Sequence, residues 1–162
     1  MSKVTTQNVM LDIDISQGGT NTIGVGSLEV DPFQTKQGYR VKAVEVKLDP
    51  ADLKTIAADA HFIVQLWAGS AAPSAAYDVG DDNVIFQFGL AFALTTSGMA
   101  LVPCQALWSP PYSGAMDLGA LYIGGLLDSA GMAGSVAGSI RIYGDVLTLT
   151  TDEQNASRAL YT

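Results

Sequence analysis

The residues from Asn83 to Thr95, NVIFQFGLAFALT, constrain the fold more than any other stretch. Val84, Phe86, Phe88, Leu90, Phe92 and Leu94 take every second position. After Ile85, the positions between them hold Gln87, Gly89, Ala91, Ala93 and Thr95. Successive side chains of a strand point to opposite faces, so this spacing gives one bulky face and one thin face. On a helix the same Phe and Leu would scatter around the circumference. The bulky face has to be buried. The thin face has to be packed by another layer or lie against a partner.

The same period recurs along the chain. Val9, Leu11, Ile13 and Ile15 alternate with Met10, Asp12 and Asp14, a first strand with one wet face. Ser16 to Asn21 is a turn cluster. Ile23, Val25, Leu28 and Val30 form a second extended piece, weakened by Gly24 and Gly26 and stopped by Pro32. In the third strand, Tyr39 to Asp49, Val44, Val46 and Leu48 oppose Glu45 and Lys47. Val41 is out of phase with them, which predicts a bulge. Asp49 and Pro50 read as the N-cap and first residue of a short helix that carries Leu53 and Ile56 and ends near Ala58.

His61 to Trp67 is a fourth strand, and Ala68 to Asp82 a long loop of small residues. Thr96 to Gly98 turns the fifth strand into a sixth, Met99 to Trp108, as a hairpin. Ser109 to Asp117 is a loop stiffened by Pro110 and Pro111. Leu118 to Leu127 is a seventh strand, Asp128 to Gly138 a flexible connection, and Ser139 to Leu149 an eighth strand. Two overlapping capping boxes, Thr150 with Glu153 and Thr151 with Gln154, predict a terminal helix of about two turns anchored by Leu160.

About eight strands and two short helices result. Strands and helices do not alternate, which excludes a parallel α/β sheet, and no fixed-period repeat points to a propeller or solenoid. What remains is an all-β domain: a two-sheet jelly roll, another Greek-key sandwich, or a closed barrel. Unequal strands and long connections favour a single jelly-roll β-sandwich spanning residues 1–162.

Composition narrows the partners. Charged residues make up 15% of the chain, against roughly 25% in a typical soluble domain. Either part of the surface is covered, or the skin is built from Ser, Thr, Gly and Asn. The net charge of −8, with no basic arm, repels phosphate and offers no counterion release on nucleic acid. Five of the eight cations, Lys36, Arg40, Lys42, Lys47 and Lys54, fit a solvated strand face. Cys104 is the only cysteine, so no internal disulfide forms. MSKVTTQNVMLDIDIS lacks the apolar core of a signal peptide, and no apolar run approaches the roughly 20 residues of a membrane span. Synthesis in the cytoplasm is the expectation.

Chemistry is sparse. His61 is the only histidine, and a cupin-type metal site needs several. It reads as structural, and Cys104 as a buried small thiol. Asp78, Asp81 and Asp82 form the densest carboxylate cluster; calcium takes such ligands, but a solvated hairpin end explains them as well. No serine sits in a nucleophile elbow, and no glycine run matches a phosphate loop. No catalytic, cofactor-binding or metal-ligating residue is assigned. Trp67, Tyr77, Trp108 and Tyr112 could stack sugars, or the tryptophans could close the ends of the core. Trp108, Pro110, Pro111 and Tyr112 suit a subunit contact, because a rigid loop loses little entropy on docking.

The segment LGALYIGGLLDSAGMAGSVAGSIRIYGDVLTLTTDEQNASRALY (Leu118 to Tyr161) has a late strand IRIYG (Ile140 to Gly144), a final strand and a capped helix with Arg158 and Leu160. It resembles the C-terminal half of single jelly-roll major capsid proteins of tailless icosahedral viruses with an internal membrane that infect bacteria and archaea, of the sphaerolipovirus kind. The N-terminal half is compatible: a strand, a step at Asp31-Pro32-Phe33, then GYRVKAVEVKL. The resemblance implies a capsid subunit of a virion, assembling with copies of itself and a second capsid protein around a membrane vesicle, with no direct contact to nucleic acid. The alternative is a β-sandwich carbohydrate- or ligand-binding module. An enzyme of the cupin kind is the third reading, and the single histidine argues against it.

Overall fold

The computed structural model describes residues 3–18, 23–30, 35–48, 56–78, 80–95, 98–103, 116–119, 122–132 and 135–160. Nine strands and one helix lie among them: β1 (Lys3–Gln17), β2 (Ile23–Glu29), β3 (Gln37–Leu48), β4 (Ile56–Gly69), β5 (Val84–Thr95), β6 (Gly98–Pro103), β7 (Met116–Leu118), β8 (Tyr122–Met132), β9 (Val136–Thr148) and α1 (Thr151–Leu160). They form a four-stranded sheet, β1-β9-β3-β7, and a five-stranded sheet, β2-β8-β4-β5-β6. Every paired neighbour is antiparallel.

The pairing defines the fold. β1 pairs with β9, β2 with β8, β3 with β7 and β4 with β5. The chain is therefore a long ribbon doubled on itself. The ribbon wraps so that β9 also meets β3 and β8 also meets β4. This is the jelly roll, with β6 added outside β5.

The core lies between the sheets. Ile13, Ile15, Tyr39, Val41, Ile140 and Ile142 enter it from the four-stranded sheet. Val64, Leu66, Phe86, Ile123 and Leu127 meet them from the other. In β5, Val84 pairs with Trp67 and Phe86 with Leu66, so Ile85 is an extra residue in that strand. That irregularity corrects the simple alternation, because Ile85 and Phe86 are both buried, while Phe88 packs against the core. The side chains from Leu90 to Thr95 lie outside the described residues. At the corner where β1 passes β2, the backbone of Gly24 and Gly26 lies against the carbonyls of Ser16 and Asp14, where a side chain has no room.

Other expectations change too. Ile56 to Ala58 start β4 instead of ending a helix, and the Asp49–Pro50 start lies outside the described residues. The apolar run from Leu118 to Leu127 is divided: Leu118 ends β7 in one sheet, and β8 begins at Tyr122 in the other. Gly119, at the division, donates its N–H to Ser157 Oγ at 2.8 Å, which ties the corner to α1. Asp128 to Met132 and Val136 to Gly138 belong to strands, so the connection expected between them is short. Leu160 is 52% exposed, so it is not the buried anchor of the helix; the buried residue there is Gln154. The bulge at Val41 is present as a register shift between Val41 and Ala43. The cap on Thr150 forms in both directions: Glu153 N–H donates to Thr150 Oγ1 at 3.3 Å, and Thr150 N–H to Glu153 Oε2 at 2.9 Å.

Candidate interaction surfaces

Each sheet has an outer face, and the two are built differently. On the four-stranded sheet, Asp12, Arg141 and Glu45 stand in register across β1, β9 and β3. Arg141 donates Nη2 to Asp12 Oδ2 at 2.7 Å and Nε to the same oxygen at 3.1 Å. That hydrogen bond and charge hold the Asp12 carboxyl below its ordinary range. The next row is Met10, Tyr143 and Ala43, with Tyr143 Oη donating to Glu45 Oε2 at 2.9 Å. Met10 and Tyr143 are among the exposed large apolar side chains.

One carboxylate holds together two irregularities of this sheet. β1 shifts register between Thr6 and Val9, where Asn8 has φ +56°, and β3 shifts at Lys42. Asp145 of β9 lies between them. Its Oδ1 accepts the Asn8 N–H at 3.0 Å and Lys42 Nζ at 2.8 Å. The lysine and the backbone donor keep the Asp145 carboxyl below the usual carboxylate value. Tyr39 Oη donates to Val9 O at 2.6 Å nearby, and burial, with the Asp145 charge, pushes its phenol up to about 12.

The outer face of the five-stranded sheet has a buried centre. Trp67 and Leu126 are fully buried there, and Gln65 beside them is 1% exposed. Gly124, paired with Trp67, leaves no room for a Cβ against the indole. The connection between β4 and β5 is tied back onto this face by Gln65. Its Oε1 accepts the Tyr77 N–H at 3.0 Å, and its Nε2 donates to Tyr77 O at 2.8 Å and to Gln87 Oε1 at 2.9 Å. One side chain thus satisfies both backbone groups of Tyr77, as a neighbouring strand does. Asn83 closes the other end: its Nδ2 donates to Ala68 O at 2.7 Å, and its carbonyl accepts Ala68 N–H at 2.9 Å.

These placements settle several candidates. Trp67 is buried, so it offers no stacking platform, and Tyr77 is half-buried with its backbone tied down. Trp108, Pro110, Pro111, Tyr112 and Cys104 lie outside the described residues. His61 stands in β4, paired with Ala91 and Ala130. The Asp78–Asp82 cluster is a turn: Asp81 N–H donates to Asp78 O at 3.1 Å, and Asp81 Oδ1 accepts Asn83 N–H at 3.0 Å. Among the described residues no group of three or more His, Cys, Asp or Glu side chains converges as a metal site. No described helix is long and apolar enough to cross a membrane. A cavity of about 150 Å³ between the sheets is lined by Leu11, Leu28, Ile123 and Val146, with Glu29 and Gln37 as polar members. That is well below the roughly 300–1,000 Å³ of small-molecule pockets.

Sequence reasoning missed Gln65 and Asp145. Gln65 had a signal: it is the one amide inside the apolar strand HFIVQLW. Asp145 had none beyond its place next to Gly144.

No protein-family model matches this chain, and no curated protein does. Three solved structures are similar to it. A virus-like particle of the extra small virus of the giant freshwater prawn Macrobrachium rosenbergii is 12% identical, covering 92% of this chain and 83% of that one, with a TM-score of 0.36. Pili forming Bacillus endospore appendages are 9% identical over 90% and 92%, with a TM-score of 0.35. The decameric BFDV capsid protein is 11% identical over 93% and 100%, with a TM-score of 0.36. At such scores the fold assignment stands on the strand order alone.

Proposed function

We propose that this chain is a structural virion protein: one jelly-roll domain over residues 1–162, a capsid subunit that assembles with copies of itself into an icosahedral shell. The observation that carries the reading is the wrapped strand order, β1-β9-β3-β7 against β2-β8-β4-β5. Jelly rolls of this kind serve as capsid, lectin and cupin domains, so the step from fold to role is one of analogy. Within that set, the burial of Trp67 speaks against a sugar-stacking lectin. The lone His61 speaks against a metal-dependent cupin enzyme. The low charge fraction suits a protein with several covered faces.

The finer reading follows the resemblance of Leu118 to Tyr161. The subunit is of the sphaerolipovirus kind, made in the host cytoplasm and resident in the virion. It shares the shell with a second capsid protein, encloses a membrane vesicle and makes no direct contact with nucleic acid. The loop with Trp108, Pro110, Pro111 and Tyr112 carries one subunit contact. Light scattering behind a sizing column, across protein concentration and salt, tests the reading. Discrete multimers or closed particles are expected. A strict monomer at the highest concentrations would overturn self-assembly.

A further inference from the structure

The sandwich has four sheet edges among the described residues, and three of them are guarded. Guarding matters because an edge strand presents unpaired backbone donors and acceptors to any strand that meets it. β1 carries Lys3, Asp12 and Asp14 and is bent by register shifts around Asn8. β2 ends in Glu29, and its Gly24 and Gly26 lie against β1. β7 has three residues, one of them Asp117. β6 has none of these protections. Its six residues, GMALVP, include no charge, and among the described residues it pairs with β5 alone. Its one interruption, Pro103, is at its end, opposite Leu90.

Electrostatics selects the partner. Each copy carries −8, so copies repel except where they meet through uncharged surface. From Asn83 to Met116 the chain contains no Asp, Glu, Lys, Arg or His, and no other stretch of that length lacks all five. β6 lies inside this stretch and, among the described residues, forms the edge of its sheet. A strand that meets itself antiparallel across a two-fold axis is self-complementary by symmetry, the commonest form of subunit contact.

We propose that β6 pairs with β6 of a second copy, antiparallel and about a two-fold axis near Ala100, joining two five-stranded sheets into one. The partner chemistry is a backbone ladder of the β-augmentation kind, between Gly98 and Val102 of each copy. This contact rests on the self-assembly reading above, and it deepens that reading by naming the edge through which two subunits join.

Charge exchange at Ala100 tests it. In Ala100→Asp, like charges face each other across the axis, and the same holds for Ala100→Lys. Each variant alone should lose dimer formation by more than about tenfold. An equimolar mixture of the two should regain it, because opposite charges then meet. Thermal unfolding at low concentration checks that each variant folds. On the unaltered protein, the alternate Gly98–Val102 amides not bonded to β5 should exchange about tenfold more slowly in the assembled fraction than in the monomer. If the unaltered protein assembles while both variants assemble equally well, or those amides exchange at the same rate in monomer and assembly, this contact is wrong and self-assembly stands. A mixture that stays apart overturns the two-fold pairing. An unaltered protein that never assembles overturns both.

Discussion

The outer faces of the two sheets are opposites made by the same two-residue period. On the four-stranded sheet the outward positions are mostly charged or hydroxylated, with Met10 and Ala43 beside Tyr143, and Asp12, Arg141, Glu45 and Tyr143 hydrogen-bond to one another. On the five-stranded sheet the outward positions include Trp67 and Leu126, both fully buried, and beside them Gln65 holds the Tyr77 backbone. A two-layer sandwich needs one apolar face per sheet. A strand that is apolar on both faces demands a third layer, and HFIVQLW is such a strand. Here the connection after β4 is tied onto that face through Gln65 and Tyr77, although its own sequence is mostly Ala, Ser and Gly. The difference shows that a dry outer face does not by itself mark a binding site, since the chain can cover it.

Substitutions on the two faces should therefore have unequal costs. Trp67→Ala removes a fully buried indole, and denaturant unfolding should show a loss of about 3–5 kcal/mol. Gln65→Ala leaves both Tyr77 backbone groups without their partner. It should cost about 1–3 kcal/mol and open residues 70–78 to limited proteolysis. Equal protease resistance in that variant would mean that something other than Gln65 holds the cover.

The next effect depends on pH and lies on the open sheet. The folded Asp145 carboxyl titrates below its ordinary value, so its contribution is complete above the unfolded pKa of about 3.9 and is lost as pH falls through the lower folded value. Asp145→Asn should be less stable than the unaltered protein at neutral pH, with the gap closing in acid. A gap independent of pH would remove the charge from the explanation. Thr150→Ala should cost about 1 kcal/mol by loss of the cap, read as helix signal and midpoint together. Tyr143→Ala, on the exposed row, should change stability by no more than about 0.5 kcal/mol. A large loss there would mean that the open face is also a packed one.

What was legible in the sequence was what is local. The bulge at Val41 shows because a single apolar residue falls out of phase, and the Thr150–Glu153 cap shows because both partners are three residues apart. The division of Leu118 to Leu127 was hidden because both halves are apolar; what distinguishes them is pairing with different distant strands, β7 with β3 and β8 with β2 and β4. The Asp49–Pro50 start lies outside the described residues, and Ile56 to Ala58, expected to end its helix, begin β4, where Ile56 pairs with Met132 of a distant strand. The burial of Trp67 was unreadable, because nothing local in HFIVQLW separates a covered outward position from an exposed one.

The most direct test is acrylamide quenching of Trp67 fluorescence in a Trp108→Phe background, which leaves one indole to report. The account predicts a blue-shifted emission that acrylamide barely quenches in the folded monomer. In Gln65→Ala the emission should shift to the red and become quenchable. A Trp67 quenched as readily as free tryptophan in the unaltered monomer would contradict the covered face and return Trp67 to the list of stacking residues for a carbohydrate-binding module.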